Sequence, residues 1–557
     1  MDGGGVVSAV VIVGSGPVGM VLALELARHG VRSVLVEQVD ATDGYPSTLR
    51  YPKGNTHNAR TMEHYRRLGL AEAVRAVGLP EDHATDVAYF TTMAGYELQR
   101  LRMPSSAEKL AALADAGPAD QVPEPLHRAN QMYVERVLFD RVAATREVTR
   151  LYGWAYTGHR DTGAEVEVSL EQVAGGARRR VRAGYLVGCD GPRSEVRRSL
   201  GISYQGEDTR EEGFMSGVTR SVYLRIPDLL DRAVRRPAWQ YWILRPDSVC
   251  NLITLGDEHE YLFHAVRGEA EGDEAVRALV RECVGRPVDV QVLEAKEWIA
   301  GRALVAERYS HGRVLLCGDA VHLFTPTGGF GMNTGIDDAA NLAWKLAASV
   351  HAWAGEALLD SYGAERRPVG VRNTRAALNL AKGLKGIPLG PVLEAGTDEG
   401  ARARGIAGDV LAGFAEEFAS LGIQLGARFD GSPLVGDDSS SPPPDNPLVY
   451  VPSGKPGGRA PHVWLGPGRS LFDTFGPGFT LLRLDGSGSS DPGDGLAAAA
   501  SARGVPMSVV EVPGDAARDL YGADLALIRP DHNVAWRGNT LPDDPDALVA
   551  TVTGRRG

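Results

Sequence analysis

The sequence predicts an α/β protein in which a parallel-sheet unit is interrupted by a mixed β-sheet unit and followed by a C-terminal unit. Three observations predict it. A β-branched run feeds a glycine-rich turn and a helix at the N-terminus. Two later strand-like runs end on an aspartate–glycine or glycine–aspartate pair. Segments of alternating polarity lie between them.

The first element is Ser8–Val13, SAVVIV, a short strand of the buried type. It runs into Gly14-Ser15-Gly16-Pro17-Val18-Gly19 and then Met20–Arg28, which has helical content and spacing. The chain returns through Ser33–Val36 to Glu37 and Gln38. In this strand–turn–helix setting GxGxxG has a mechanical meaning. Gly14 makes the turn, Gly16 lets backbone approach a pyrophosphate, and Gly19 lets helix and strand close together. Glu37 is placed to accept hydrogen bonds from an adenosine ribose. The pattern leaves NAD, NADP and FAD open.

The second piece, YLVGCDGPRSEVRRSLGI at Tyr185–Ile202, is a strand, then Asp190-Gly191, then a helix from about Arg193. Its plainest reading is an aspartate that caps a helix. The third, Arg313–Leu346, carries a strand to Asp319, a glycine loop, and a helix from near Asn333. A helix N-terminus with glycine-exposed amides suits an anion or an electron-rich ring carbonyl.

These motifs, VIVGSGPVGMVLALELARHGVRSVLVE, YLVGCDGPRSEVRRSLG and GRVLLCGDAVHLFTPTGGFGMNTGIDDAANLAWKLA, occur in an order that resembles the FAD-dependent aromatic hydroxylases. These are single-component flavoprotein monooxygenases that include phenol and aromatic polyketide hydroxylases. NARTMEHYRRLGL, NQMYVERVLFDRV, LLDSYGAERRPV and, toward the C-terminus, GGRAPHVWL, FGPGFTLL and ALIRPDHNVAWRG extend the resemblance.

The resemblance implies a Rossmann-type FAD-binding domain, an inserted mixed β-sheet substrate domain and a thioredoxin-like C-terminal domain. The FAD-binding domain is expected at 1–80, 125–204 and 301–390, and the substrate domain at 81–124 and 205–300. A helical segment and linker follow at 391–447, then the thioredoxin-like domain at 448–557. All four cysteines precede that last domain, so dithiol chemistry is not expected of it. Asp360–Leu380 reads as helical with a turn at its ERRP.

FAD is the implied cofactor, with NADPH or NADH as co-substrate. Asp319 would contact the ribityl chain, and the loop from Pro326 through Gly329, Gly331, Met332 and Asn333 would meet the isoalloxazine ring. Asp190, Gly191 and Arg193 match a segment associated with both FAD and NADPH, and Gln131 matches a flavin-contacting glutamine. Two departures stand out. Lys53 replaces a frequent arginine, turning a bidentate contact into a point charge. Phe330 gives GGFG where many members have GGQG, which removes a side-chain contact and leaves the backbone ones.

The implied reaction is transfer of the distal oxygen of a flavin hydroperoxide, formed from dioxygen, to a phenolic or polycyclic, polyketide-like ring. Baeyer–Villiger insertion and epoxidation stay open on the same scaffold. So does a flavin-binding protein without turnover. The GWxWxIP pattern of halogenases is absent. No Ser/His/Asp triad or carboxylate pair is evident, and none is required where the cofactor carries the chemistry. His57, Tyr241 and His322 are the candidates to assist phenol deprotonation. Alternation in SGVTRSVYLRI, WQYWIL and VCNLITL predicts antiparallel strands whose face covers the flavin. Trp239, Tyr241 and Trp242, with Tyr89 and Phe90, are the expected aromatic substrate wall.

Composition closes other routes. With 59 basic against 71 acidic residues the net charge is −12, which argues against broad nucleic-acid binding. Hydrophobic content of 43% with 23% charged residues is globular. The uncharged run Gly3–Leu24 is broken by glycines and proline and lacks a basic lead, so neither a membrane span nor a signal peptide is expected. Cys189, Cys250, Cys283 and Cys317 are scattered without metal spacing, which fits a reducing cytoplasm. His259, Glu260 and His264 miss the spacing of a zinc helix, and no metal is expected. The oligomeric state stays open, a homodimer included.

Overall fold

The computed structural model describes residues 6–41, 44–46, 50–115, 122–208, 217–246, 249–256, 259–266, 271–300, 302–383, 389–418, 420–436, 438–484 and 494–555. The expected β-branched run forms the strand Val6–Val13. It pairs in parallel with Ser33–Glu37 on one side and Arg178–Gly188 on the other. Val148–Tyr152 extends the sheet beyond Ser33–Glu37, and Val314–Leu316 extends it beyond Arg178–Gly188, both in parallel. Strand order therefore reverses at Val6–Val13. In open α/β sheets a ligand crevice opens at the carboxyl ends of the strands at such a reversal. Val10, Val11 and Ile12 are fully buried, as residues of a parallel sheet covered on both faces are.

Strands from two separate stretches build the second sheet. Its order is Gln291–Ala300, Gly217–Arg225, Glu260–Val266, Val249–Thr254, Gln240–Leu244, Val87–Phe90 and Glu97–Leu101. All pairs are antiparallel except Gln240–Leu244 with Val87–Phe90, so the sheet is mixed. One face packs on the helix Asp273–Val284 through Phe90, Tyr241, Phe263 and Val280. The other faces the parallel-sheet unit.

The helix Ala357–Gly383 runs unbroken through Pro368, which corrects the expected turn at ERRP. Arg366 and Arg367 hold the chain there. Arg366 Nε donates to Asp338 at 2.7 Å and Arg367 Nε to the Ala306 carbonyl at 3.1 Å. A proline costs one helical hydrogen bond, and these anchors offset it.

The C-terminal unit carries a four-stranded sheet ordered Met507–Glu511, Phe479–Arg483, Leu525–Ile528, Val534–Gly538. The first two strands are parallel across the helix Asp494–Ala502, and the others are antiparallel. Trp344 and Trp353 stack 6.3 Å apart, and Trp344 meets Phe479 edge-on at 5.8 Å. This packing fastens the unit to the helix Phe330–Val350. Among the described residues no helix is long and apolar enough to cross a membrane.

Candidate functional site

Three strand ends meet at the reversal. Gly14 follows Val6–Val13, Cys189-Asp190 follows Arg178–Gly188, and Cys317-Gly318-Asp319 follows Val314–Leu316. Gly14 has φ +105°, and a Cβ there would lie 2.3 Å from the Cys189 carbonyl oxygen. A Cβ on Gly19 would lie 2.0 Å from the Gly14 carbonyl oxygen. Gly16 meets nothing within 4 Å and opens onto free space. Two glycines thus let the protein close on itself, while the third leaves room for a phosphate at the start of the helix Pro17–Arg28. Glu37 Oε2 accepts from the Ser15 N–H and Oε1 from the Val39 N–H, each at 3.0 Å, so the acid pins the turn. Gln38 and Arg193 are exposed.

From Gly16, Pro17 and Val18 a cavity of about 700 Å³ runs past Asp319 and the glycine loop to the inserted sheet. Asp319 lines this cavity with an exposed side chain. Burial pushes its pKa up, while His322 and Lys53 pull it down. Among the described residues it makes no hydrogen bond or ion pair through its carboxylate. A carboxylate that faces a cavity without a protein donor suits hydroxyl donors on a ligand.

The loop beyond it is set by left-handed Gly328 (φ +75°) and Gly329 (φ +64°). A Cβ at Gly328 would fall 2.4 Å from the Phe330 ring. The helix then begins at Phe330 without a side-chain cap. Its first N–H groups have no intrahelical acceptor and suit a ring carbonyl. Pro326, Gly329, Gly331 and Met332 line the cavity here. Asn333 does not, because its side chain is spent on structure. Its Nδ2 donates to the carbonyls of Thr56 (2.9 Å) and Gly329 (2.6 Å), and its Oδ1 accepts from the Asn58 N–H. The Phe330 ring packs with Ala377 and Ile423.

Gln131 and Lys53 both line the cavity and converge on Glu135. Gln131 Nε2 donates to Glu135 Oε1 at 2.6 Å, and Lys53 Nζ lies 3.7 Å from the same oxygen. Gly191 also lines the cavity, but Asp190 does not. The Asp190 carboxylate accepts from Ser194 Oγ (2.5 Å) and the Val196 N–H (3.1 Å), so it does the capping work its position allowed.

The aromatic wall needs correction. Trp239 and Trp242 line the cavity. Tyr241 and Phe90 point to the opposite face of the sheet, into the core against Asp273–Val284. Strand alternation forbids adjacent Tyr241 and Trp242 from sharing a face. Tyr89 stacks on Trp242 at 6.3 Å and is buried beneath the wall. The proton-transfer candidates also lie off the cavity. Burial pushes His57 down to about 3, leaving it neutral. His322 Nε2 bonds Asp338 at 2.6 Å with both side chains fully buried. Tyr241 accepts the Ala238 N–H in the core.

In their place stands a row in direct cross-strand register: Trp242 opposite Asn251, Asn251 opposite His264, His264 opposite Ser221, and Ser221 opposite Lys296. All five line the cavity. His264 lies on a strand, and burial lowers it to about 4. The period-two spacing of Leu262 and His264 was the available signal for this row. Nothing local marked Glu417, which enters the cavity from the helix Ala415–Phe418. No group of metal ligands is present among the described residues.

The family described as FAD binding domain matches residues 7–377, and that described as aromatic-ring hydroxylase, C-terminal, matches 453–555. An FAD-dependent monooxygenase of Emericella nidulans, apdD, is 32% identical over 98% of this chain and 90% of its own length. A putative polyketide hydroxylase of Streptomyces halstedii is 31% identical over 95% of this chain and 93% of its own. The crystal structure of RebC with bound 7-carboxy-K252c superposes with a TM-score of 0.88 and 33% identity, covering 99% of this chain and 100% of that one.

Proposed function

This chain belongs to the FAD-dependent aromatic-ring hydroxylases, and from that premise we propose that it uses NADPH and dioxygen to hydroxylate a phenolic, polycyclic substrate of the polyketide type. It is an FAD-dependent monooxygenase, an oxidoreductase. One observation carries the substrate reading. A single cavity joins the glycine loop to an apolar wall at Trp239 and Trp242, so a flat ring on that wall adjoins whatever the loop holds.

Bound FAD supplies the redox chemistry that activates dioxygen. The chain's residues bind, orient and exclude water. Gly16 and the N-terminus of Pro17–Arg28 would receive the pyrophosphate, Glu37 the adenosine ribose, and Asp319 the ribityl hydroxyls. The amides from Gly329 to Asn333 would receive the ring carbonyls, with Gln131 and Lys53 on the same cavity. Asp190 would act on the site only indirectly, through its bonds to Ser194 Oγ and the Val196 N–H beside Gly191. Trp239 and Trp242 would hold the substrate ring, and the polar row from Asn251 to Lys296 would orient its oxygens.

The pieces 1–80, 125–204 and 301–390 form the FAD-binding domain in this reading, and 81–124 with 205–300 the substrate domain. The pairing of Gln240–Leu244 with Val87–Phe90 supports the latter. The βαβ then ββα order of the last strands supports a thioredoxin-like fold at 448–557. That unit has no cysteine, so its role would be structural.

The test is anaerobic bleaching of bound flavin by NADPH, with and without a panel of aromatic polyketides. Acceleration by a panel member is expected, and a flavin that never bleaches would sink the hydroxylase reading. In parallel, Glu37→Ala is expected to weaken FAD binding about tenfold, the worth of a charge-assisted hydrogen bond. The flavin absorbance should stay normal, since the change lies at the adenosine end. An altered flavin spectrum with undiminished affinity would contradict the assignment.

A further inference from the structure

The segment after the long helix Ala357–Gly383 delivers a carboxylate to the cavity that the reading above leaves without a task. Phe418 packs edge-on against Trp239, with ring centroids 6.1 Å apart at 88°, and this fixes the short helix Ala415–Phe418 over the site. Its neighbour Glu417 turns inward. Protein surrounds the side chain, and the surface it keeps open faces the cavity. Oε1 accepts from the Gly328 N–H at 3.1 Å, which ties the acid to the glycine loop. Among the described residues Oε2 makes no hydrogen bond.

Glu417 is half-buried, and charged and polar groups of other elements stand around it. Arg128 faces Glu417 from the strand His127–Arg128, its guanidinium 3.9 Å over the Trp239 ring and hydrogen-bonded to Thr56 Oγ1. Tyr89 faces it from the inserted sheet. Glu416, on its own helix, is exposed. An N–H of the loop alone would be satisfied equally by a neutral glutamine, without the cost of burying a charge. A carboxylate with one oxygen anchored and one open to a cavity is built to accept a second donor.

We propose that Glu417 is the acceptor for a substrate hydroxyl, its Oε2 receiving the hydrogen bond of a phenolic O–H laid against the glycine loop and taking that proton as the ring is attacked. This rests on the aromatic-hydroxylase reading above. In the step the phenolic O–H bond breaks, its electron pair stays on the phenol oxygen, and a new O–H bond forms on Oε2. No oxidant is consumed in it. Burial pushes Glu417 up to about 7, against the Gly328 N–H and Arg128, which pull it down. A base poised near neutrality is suited to such a transfer.

The FAD-loaded full chain would be titrated with 2-naphthol and with its methyl ether, 2-methoxynaphthalene, following the absorbance of the bound flavin. At about pH 8 the wild-type protein is expected to prefer the free hydroxyl by about tenfold or more, the worth of a hydrogen bond to a charged acceptor. That preference should fade as pH falls through about 7, because the protonated acid no longer accepts. In Glu417→Gln the amide oxygen keeps the Gly328 N–H and the amide NH₂ faces the ligand. The preference should then vanish or turn toward the ether, with no dependence on pH. A structural role would move neither the preference nor its pH dependence.

A variant that keeps the wild-type preference and pH dependence would overturn the proposal. So would a wild-type preference that is flat from about pH 6 to about pH 9, a result that needs no variant. If neither compound perturbs the wild-type flavin, the phenolic-substrate reading fails and this proposal with it.

Discussion

Asp319→Ala is expected to leave the purified protein almost without FAD. The carboxylate ends the strand Val314–Leu316, opens to the cavity, and has no partner of its own among the described residues. In the reading above it serves the ribityl hydroxyls. A charge-assisted hydrogen bond contributes about 1.5–3 kcal/mol, so losing one costs a factor of roughly ten to a hundred or more in affinity. Apo-protein stability should move the other way. Burial holds the Asp319 pKa up, which means the ionised group is disfavoured where it sits. The apo variant should therefore unfold at a denaturant concentration no lower than the apo wild type. Flavin absorbance after purification measures the first effect and urea unfolding the second. Full flavin occupancy in the variant would remove Asp319 from the site.

Arg529→Met is expected to cost about 3–5 kcal/mol of stability, the penalty for breaking a buried ion pair and stranding its partners. Arg529 is fully buried. It donates to Glu365 through Nη1 at 2.7 Å and Nη2 at 2.8 Å, and to Asp531 Oδ2 at 2.7 Å. Lys345 Nζ reaches the same Glu365 at 2.6 Å, and Trp344 and Asn341 donate to Asp531. A second buried pair, Arg459 with Glu63, lies in the same interface. The C-terminal unit thus docks through ions as well as through Trp344 and Phe479. It docks on the helix whose opposite end carries the glycine loop. Lower FAD retention should accompany the lost stability.

Acid should act through the same cluster. Burial pushes Glu365 up, but Arg529 and Lys345 outweigh it and hold the carboxyl well below its usual range. A lowered folded-state pKa contributes stability that is complete above the unfolded value of about 4.3 and is lost as pH falls toward the folded one. Urea midpoints measured from neutral pH downward should show this loss in the wild type and much less of it in Arg529→Met. A variant within about 1 kcal/mol of wild type would refute docking by charge.

The sequence by itself determined the nucleotide end of this protein. Gly14, Gly16 and Gly19 obey local steric rules, and a β-branched strand before them with an acid after the next strand needs no distant partner to be read. The strand end at Asp319 and the glycine loop behind it are local in the same way, although the helix starts at Phe330 and not near Asn333. Only the tertiary structure decided which side chains of the inserted sheet face the cavity. Whether Trp242 or Tyr241 faces the cavity depends on which side of the sheet another element covers, and a one-residue difference reverses the answer. His322 looked available until Asp338, from a different element, took its Nε2. Asp190 reads equally as ligand or cap until Ser194 Oγ and the Val196 N–H are seen on it. Glu417 comes from a stretch with no motif and becomes interesting only when long-range packing seats Phe418 on Trp239. Backbone turns are written in neighbouring residues, whereas the facing of a side chain and the pKa of a buried acid belong to contacts between distant parts of the chain.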